Sequence, residues 1–298
     1  MLNIYARPGG LSLGLIGKTS AEDGYRSRSV VVVPPRNAEG RTGDAVARLE
    51  SALHAAGASG LETGWRWSLA IPDADTDREQ LVASWQAQSE GRLDELLQGW
   101  IVRLVRTWRP SVVVMDVAGE GDAITSVVNE AVQRAVFEAG DATRWAVASQ
   151  LSSLRAWKVS KLYRRVPAGS RGDVSVIPHE FLPRSGEVLL ERVARAAAHA
   201  PGLTHGFAEV EGFRFIAAGE DQGRMARGPR LFSGLGIGPG TAARRSLRPK
   251  TGQDAELGVR IASRQRGVAA YLRLIRGRKV AAEALEGQVV GLLRGLDA

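Results

Sequence analysis

The 298-residue chain contains no cysteine, and that absence removes disulfide frameworks, thiolate zinc sites and cysteine nucleophiles together. Histidine is scarce: His54, His179, His199 and His205 are the whole supply, scattered so that any metal site would have to lean on carboxylates. His199 and His205 stand six apart across Pro201 and Gly202, not at the one-turn spacing that puts two imidazoles on one helical face. No apolar run approaches the roughly 18 residues that a membrane span needs. The opening stretch MLNIYARPGGLSLGLIGKTS lacks the basic-then-apolar order of a secretory signal. These absences predict a soluble, cytoplasmic protein without a membrane span. No serine lies in a nucleophile-elbow context, which removes a further class of hydrolase.

What is present is a 44% hydrophobic composition, enough for a sizeable core, and a positive charge that is unevenly spread. Residues 221–280 hold fourteen Lys+Arg against three Asp+Glu, so the overall +8 is owed to the C-terminal region. There ARRSLRPK and RIASRQRGVAAYLRLIRGRK offer Arg244, Arg245, Arg248, Lys250, Arg264 and Arg266 to phosphates or to an acidic partner. Tyr271 alone interrupts the second run as a base-stacking platform, a thin provision for single-stranded nucleic acid. A solvated basic helix packing on the domain is the plainer expectation.

Apolar spacing predicts short buried strands at 11–16 and 30–33, the second closed by Pro34 and Pro35. A helix then opens at Thr42 or Gly43, carries Val46, Leu49, Leu53 and Ala56 on one face, and stops at Gly57. A further strand falls within 65–71. Leu93, Leu96, Leu97, Trp100, Ile101, Leu104, Val105 and Trp108 trace one face of a long helix that Pro110 forbids from continuing. It leads into a strand at 112–115, apolar on both faces as covered parallel strands are, and then a helix at 125–139. Beyond Gly140 strands are expected at 174–177 and 213–217, and helices at 187–199, 255–276 and 280–293. The alternation predicts a doubly wound, Rossmann-like, mostly parallel α/β sheet with helices on both faces, over residues 1–220. Residues 221–298 are expected to form a basic Gly/Arg-rich loop and helical extension.

Asp116, Glu120 and Asp122 follow the central strand where open α/β sheets place their ligand crevice, and they are the candidates for acid, base or cation-holding roles. The plainer account is a solvated turn that favours the positive N-terminus of the next helix. Asp73, Asp75 and Asp77 alternate like calcium-loop ligands, but Arg78 stands where that loop needs glycine and Ser84 where it needs glutamate. Acidic N-capping of the following helix explains them better. In GLGIGPG, at 234–240, Pro239 or Thr241 falls at the third glycine of a dinucleotide fingerprint and no strand precedes it, which leaves a loop.

Four stretches, ALHAAGASGLETG, LDELLQGWIVRLVRTWRPSVVVMD, NEAVQRAVFEAG and WKVSKLYRRV, together resemble the PIG-L/LmbE family of zinc-dependent N-acetylglucosaminyl deacetylases. In that family a helix ending in R-P leads to a D-V-V strand, an acidic or glycine-rich loop, and a G-H-P-D-H motif opening a helix of the form R-A-V-x-x-A-V. A later W-x-x-x-K-L-Y resembles Trp157, Lys161, Leu162 and Tyr163. The likeness covers roughly residues 40–215 and implies a ligand crevice containing Ser126, Asn129, Lys161 and Tyr163.

The resemblance fails at the family's metal motifs. The string A-H-P-D-D-E, which supplies zinc ligands and a water-activating aspartate, does not occur in this chain. Ser126 and Asn129 stand where the second motif has histidines. A zinc ion held by fewer than three good ligands is weakly bound and does not bring its water near neutral pKa. The expected function is a catalytically impaired deacetylase-like module, a pseudoenzyme without a cofactor, kept for binding or scaffolding with a small carbohydrate as ligand. Zinc would belong only to a retained family activity. The alternatives are an active metal-dependent hydrolase, using the strand-end carboxylates or an upstream segment carrying the missing motif, and nucleic-acid binding through the basic region.

Overall fold

The computed structural model describes residues 1–35, 42–64, 77–145, 154–204, 209–216 and 230–235, all within a compact unit spanning Met1–Pro239. The strand expected at 65–71, Asp73, Asp75, His205 and the helices at 255–276 and 280–293 lie outside these residues. So do Arg244, Arg245, Arg248, Lys250, Arg264 and Arg266.

A seven-stranded sheet forms the centre, built from β1 (Leu2–Tyr5), β2 (Arg28–Val31), β3 (Leu61–Thr63), β4 (Val112–Met115), β5 (Lys161–Arg165), β6 (Val174–Val176) and β9 (Glu211–Phe215). Its order is β3-β2-β1-β4-β5-β9-β6. Strands β1 to β5 are parallel, while β9 runs antiparallel to both β5 and β6. A separate hairpin pairs β7 (Phe181–Leu182) with β8 (Glu187–Val188). The strand order reverses between β1 and β4, and in open α/β sheets the connections diverge at such a point and leave a crevice at the strands' carboxyl ends.

Helices cover both faces, as the apolar patterning predicts. On one side α3 (Arg78–Gln88), α4 (Leu93–Trp108) and α5 (Ala123–Ala139) bury Trp85, Ile101, Val105, Val128 and Val132 against Ile4, Val113, Met115 and Leu162. On the other, α1 (Leu13–Ile16), α2 (Gly43–Ala56) and α6 (Leu189–Ala197) pack Leu15, Leu53 and Val193 with Tyr5, Val31, Val114 and Tyr163. Val112 to Met115 therefore serve both layers in alternation, which is why that run carries no polar residue.

Local chemistry sets the boundaries. Gly57 ends α2 at φ 110°, a left-handed position that glycine adopts without penalty. Asp77 caps α3 by accepting from the Gln80 N–H at 2.8 Å, the role expected for the end of that acidic cluster. At the end of α4, Arg109 turns left-handed before Pro110. That turn is buttressed by Trp157, whose indole N–H donates to the Pro110 carbonyl at 2.9 Å. The two best-matched stretches, RP-SVVVMD and WKVSKLY, thus meet in space.

One expected strand is not a strand. The run at 11–16 enters a short helix, because the Ser12 hydroxyl accepts from the Leu15 N–H at 3.0 Å and caps it. A π-helical turn (Gly17–Glu22) continues it. The first strand is instead LNIY, and its buried Asn3 interrupts the apolar signal by which a strand is recognised. The expected helix at 187–199 gives its first two residues to β8.

Residues 230–235 return to this unit, burying Leu231 and Phe232 and stacking Phe232 on Tyr25 with ring centroids 3.8 Å apart. Lys161, 1% exposed, donates to the Ser233 carbonyl at 2.5 Å, and burial holds its ammonium below the usual lysine range. Between that depressed value and the ordinary one the unfolded chain holds a proton that the fold does not, so stability climbs as pH rises through the window. Lys161→Met is expected to raise stability at neutral pH by about 1 kcal/mol and to flatten this climb, read from urea midpoints at several pH values. A loss of stability in the variant would show the ammonium to be well accommodated.

Candidate functional site

Register places the crevice residues. One step beyond the Ile4↔Met115 and Met115↔Arg164 pairs, Tyr5, Asp116 and Arg165 stand side by side at the carboxyl ends of β1, β4 and β5. The antiparallel β9 brings its first residue, Glu211, to the same end. All four are mostly buried: Tyr5 0% exposed, Asp116 6%, and the Arg165 and Glu211 side chains 13% and 8%.

Arg165 organises the group. Its guanidinium donates to Glu211 Oε1 at 2.6 Å and to the Gly10 carbonyl at 3.1 Å. The other Glu211 oxygen accepts from the Ser12 hydroxyl. Burial pushes the Glu211 carboxyl above its ordinary range and the Asp116 charge adds to this, while Arg165 and Ser12 oppose it. The Tyr5 hydroxyl is pushed up by burial and feels Arg165, Asp116 and Glu211, and it lies against the Ser12 backbone.

Asp116 Oδ1 accepts from the Val117 N–H at 2.8 Å, and the Asp116 carbonyl accepts from Asn129 Nδ2 at 3.0 Å. Asn129, 6% exposed, is fixed by that bond and keeps its Oδ1 unpartnered. Gly10 comes down directly on Asp116: a Cβ at position 10 would lie 1.8 Å from Asp116 Oδ2.

The sequence-predicted residues divide. Asp116 and Asn129 meet at the β4 exit. Asp122 is committed to capping α5, its two oxygens accepting from the Thr125 N–H at 3.1 Å and hydroxyl at 2.7 Å, and its backbone carbonyl accepts from the Ser126 N–H at 3.1 Å. Glu120 is exposed in the loop between them. Lys161 lies at the amino end of β5, away from the crevice, and Tyr163 lies one residue pair deeper, its ring edge-on to Phe215 at 5.6 Å. Burial, with the Asp173 charge, pushes the Tyr163 hydroxyl up to about 12.

Tyr5, Gly10, Ser12, Arg165 and Glu211 are not legible in the sequence as site residues. A signal for Arg165 does exist, since strand alternation puts residues 161, 163 and 165 on one face and only the last at the carboxyl end.

No family model matches the chain, and no curated protein matches it. Among solved structures it is similar to a conserved protein from Thermus thermophilus, at 14% identity over 72% of this chain and 94% of that one, with a TM-score of 0.46. It is also similar to the N,N'-diacetylchitobiose deacetylase from Pyrococcus horikoshii, at 12% identity over 72% and 82%, with a TM-score of 0.44. No helix among the described residues is long and apolar enough to cross a membrane.

Proposed function

We propose that this chain is a divergent PIG-L/LmbE-like domain whose crevice between β1 and β4 binds a small polar ligand of the carbohydrate class without metal-dependent amide hydrolysis. The observation that carries the reading is the exit of β1. There the chain runs Ala6-Arg7-Pro8-Gly9-Gly10-Leu11. Set beside the family's A-H-P-D-D-E, the alanine and proline are kept, while histidine becomes arginine, both aspartates become glycine and glutamate becomes leucine.

The residues present do not fit zinc. Catalytic zinc takes three protein ligands drawn from imidazoles and carboxylates. Among the described residues no group of three or more His, Asp or Glu side chains could hold a metal ion. The crevice offers two carboxylates, but Arg165 already lies against one of them as a permanent cation. Metal-dependent hydrolysis of an amide would need a metal-bound water, and the described crevice residues offer no group of ligands to hold that metal.

Binding needs less. The Asn129 Oδ1 is buried and lacks a partner, the buried Tyr5 hydroxyl lies near the Asp116 charge, and sugar hydroxyls can donate to such acceptors. A ligand that satisfies them recovers the desolvation already incurred by those groups.

The test is a ¹⁵N chemical-shift titration with N-acetylglucosamine and its β-1,4 oligomers. Saturable shifts are expected around Asp116 and Asn129, weakened about tenfold or more in Asp116→Asn, which loses a charged acceptor. Shifts confined elsewhere, or none at millimolar saccharide, would contradict the assignment. Acetate release that survives purification would favour the active-hydrolase alternative instead.

A further inference from the structure

The stretch that covers the crevice is anchored at one end by the buried side chain of Leu11 and elsewhere by a few polar ties. Residues 7–11 leave β1, make a 3-10 turn (Pro8–Gly10) and enter α1 at Ser12. The backbone bonds within it are local: Gly10 N–H to the Arg7 carbonyl and Leu11 N–H to the Pro8 carbonyl, each 3.0 Å. Its ties to the sheet converge on one carboxylate. Glu211 takes the Ser12 hydroxyl at the far end of the stretch, and through Arg165 it reaches the Gly10 carbonyl at the crest.

Beneath that crest lies the floor of the crevice. Gly10 rests against Asp116, and the wholly buried Tyr5 hydroxyl is close enough to feel the charges of Asp116, Arg165 and Glu211 and to meet the Ser12 backbone. Adjacent glycines at 9 and 10 allow the backbone excursion that uncovering this floor requires. A buried ion pair adds little net stability over an apolar contact, but it fixes one geometry that can be released without dismantling the sheet.

We propose that residues 7–11 are a gate over the Asp116–Tyr5 floor, latched by Glu211 through Arg165 and Ser12, and that ligand entry requires its local opening. The proposal rests on the crevice being the ligand site. In the closed state the floor is shielded. Opening breaks the two ties and swings Arg7 to Gly10 about the buried Leu11, leaving the β-ladders intact.

Native-state hydrogen exchange on the full chain, over a series of sub-denaturing urea concentrations, tests this without any ligand. The Gly10 and Leu11 amides are expected to exchange through a local opening that urea barely accelerates, while Val113 and Val114 in β4 exchange only through urea-sensitive unfolding. Arg165→Met, which removes both contacts of the guanidinium, is expected to cost the Gly10 and Leu11 amides about tenfold more protection than the β4 amides. If the Gly10 and Leu11 amides follow the urea dependence of β4 in the unmodified protein, the gate is overturned, whether or not the variant folds. Saccharide binding with globally limited exchange would remove the gate and keep the ligand site; local opening without saccharide binding would do the reverse.

Discussion

Arg106→Ala is expected to lower unfolding stability by about 2 to 3 kcal/mol, measured as a shift in urea midpoint with an unchanged slope. The residue is 1% exposed, yet its guanidinium is the cap of a neighbouring helix. It donates to the carbonyls of Glu138 at 3.3 Å, Ala139 at 3.2 Å, Asp141 at 2.7 Å and Arg144 at 3.0 Å, all at or just past the end of α5. The Ala139 and Glu138 carbonyls also accept from the Trp157 and Asp141 backbone N–H groups, so alanine would chiefly strip the Asp141 and Arg144 carbonyls past the helix end of the guanidinium. The same corner places Trp145, whose indole donates to Glu138 Oε2 at 2.6 Å and which sits so close to Gly99 that a methyl group there would stand 2.7 Å away. Arg106→Lys should recover less than half of the loss, since an ammonium lacks the planar fork that serves several carbonyls at once. A change within about 1 kcal/mol in the alanine variant would mean that water replaces the guanidinium and that the corner is not buried as described.

Gly10→Ala is expected to cost about 2 kcal/mol, an overpacking penalty with one identifiable cause. The added methyl carbon would meet Asp116 Oδ2 at 1.8 Å and Cγ at 2.7 Å, so the carboxylate must leave its place beside the Val117 N–H. Asp116→Ala in the same chain removes the obstacle. The double variant should therefore be more stable than the sum of the single effects predicts, by about 1 kcal/mol or more. Strict additivity would place Gly10 away from Asp116 and dissolve the closed arrangement over the crevice.

Much of the fold is legible in the sequence because its signals are local. The stripe along α4, the β-branched run of β4 and the left-handed stop at Gly57 each depend on residues within a few turns of one another. The first strand is hidden by Asn3, a buried polar residue in the middle of it, and the strand expected at 11–16 is undone by a single capping hydroxyl on Ser12. The site is half legible for a related reason. Asp116 declares itself at the end of an apolar run, and Asn129 follows from the helix after it. Glu211, Arg165 and Ser12 gain their meaning only from one another, across 46 and 199 residues of chain, and apart from the strand alternation that carries Arg165 nothing local distinguishes them from surface polar residues. Lys161 and Tyr163 share a face with Arg165 but not an end of the strand.

That this crevice holds a polar ligand and no catalytic zinc is tested most directly by zinc content after equilibration with excess zinc and exhaustive dialysis, read together with acetate release from N-acetylglucosamine conjugates. Far less than stoichiometric zinc is expected, with no acetate above the protein-free control. One zinc retained per chain, accompanied by acetate release that Asp116→Asn abolishes, would contradict it.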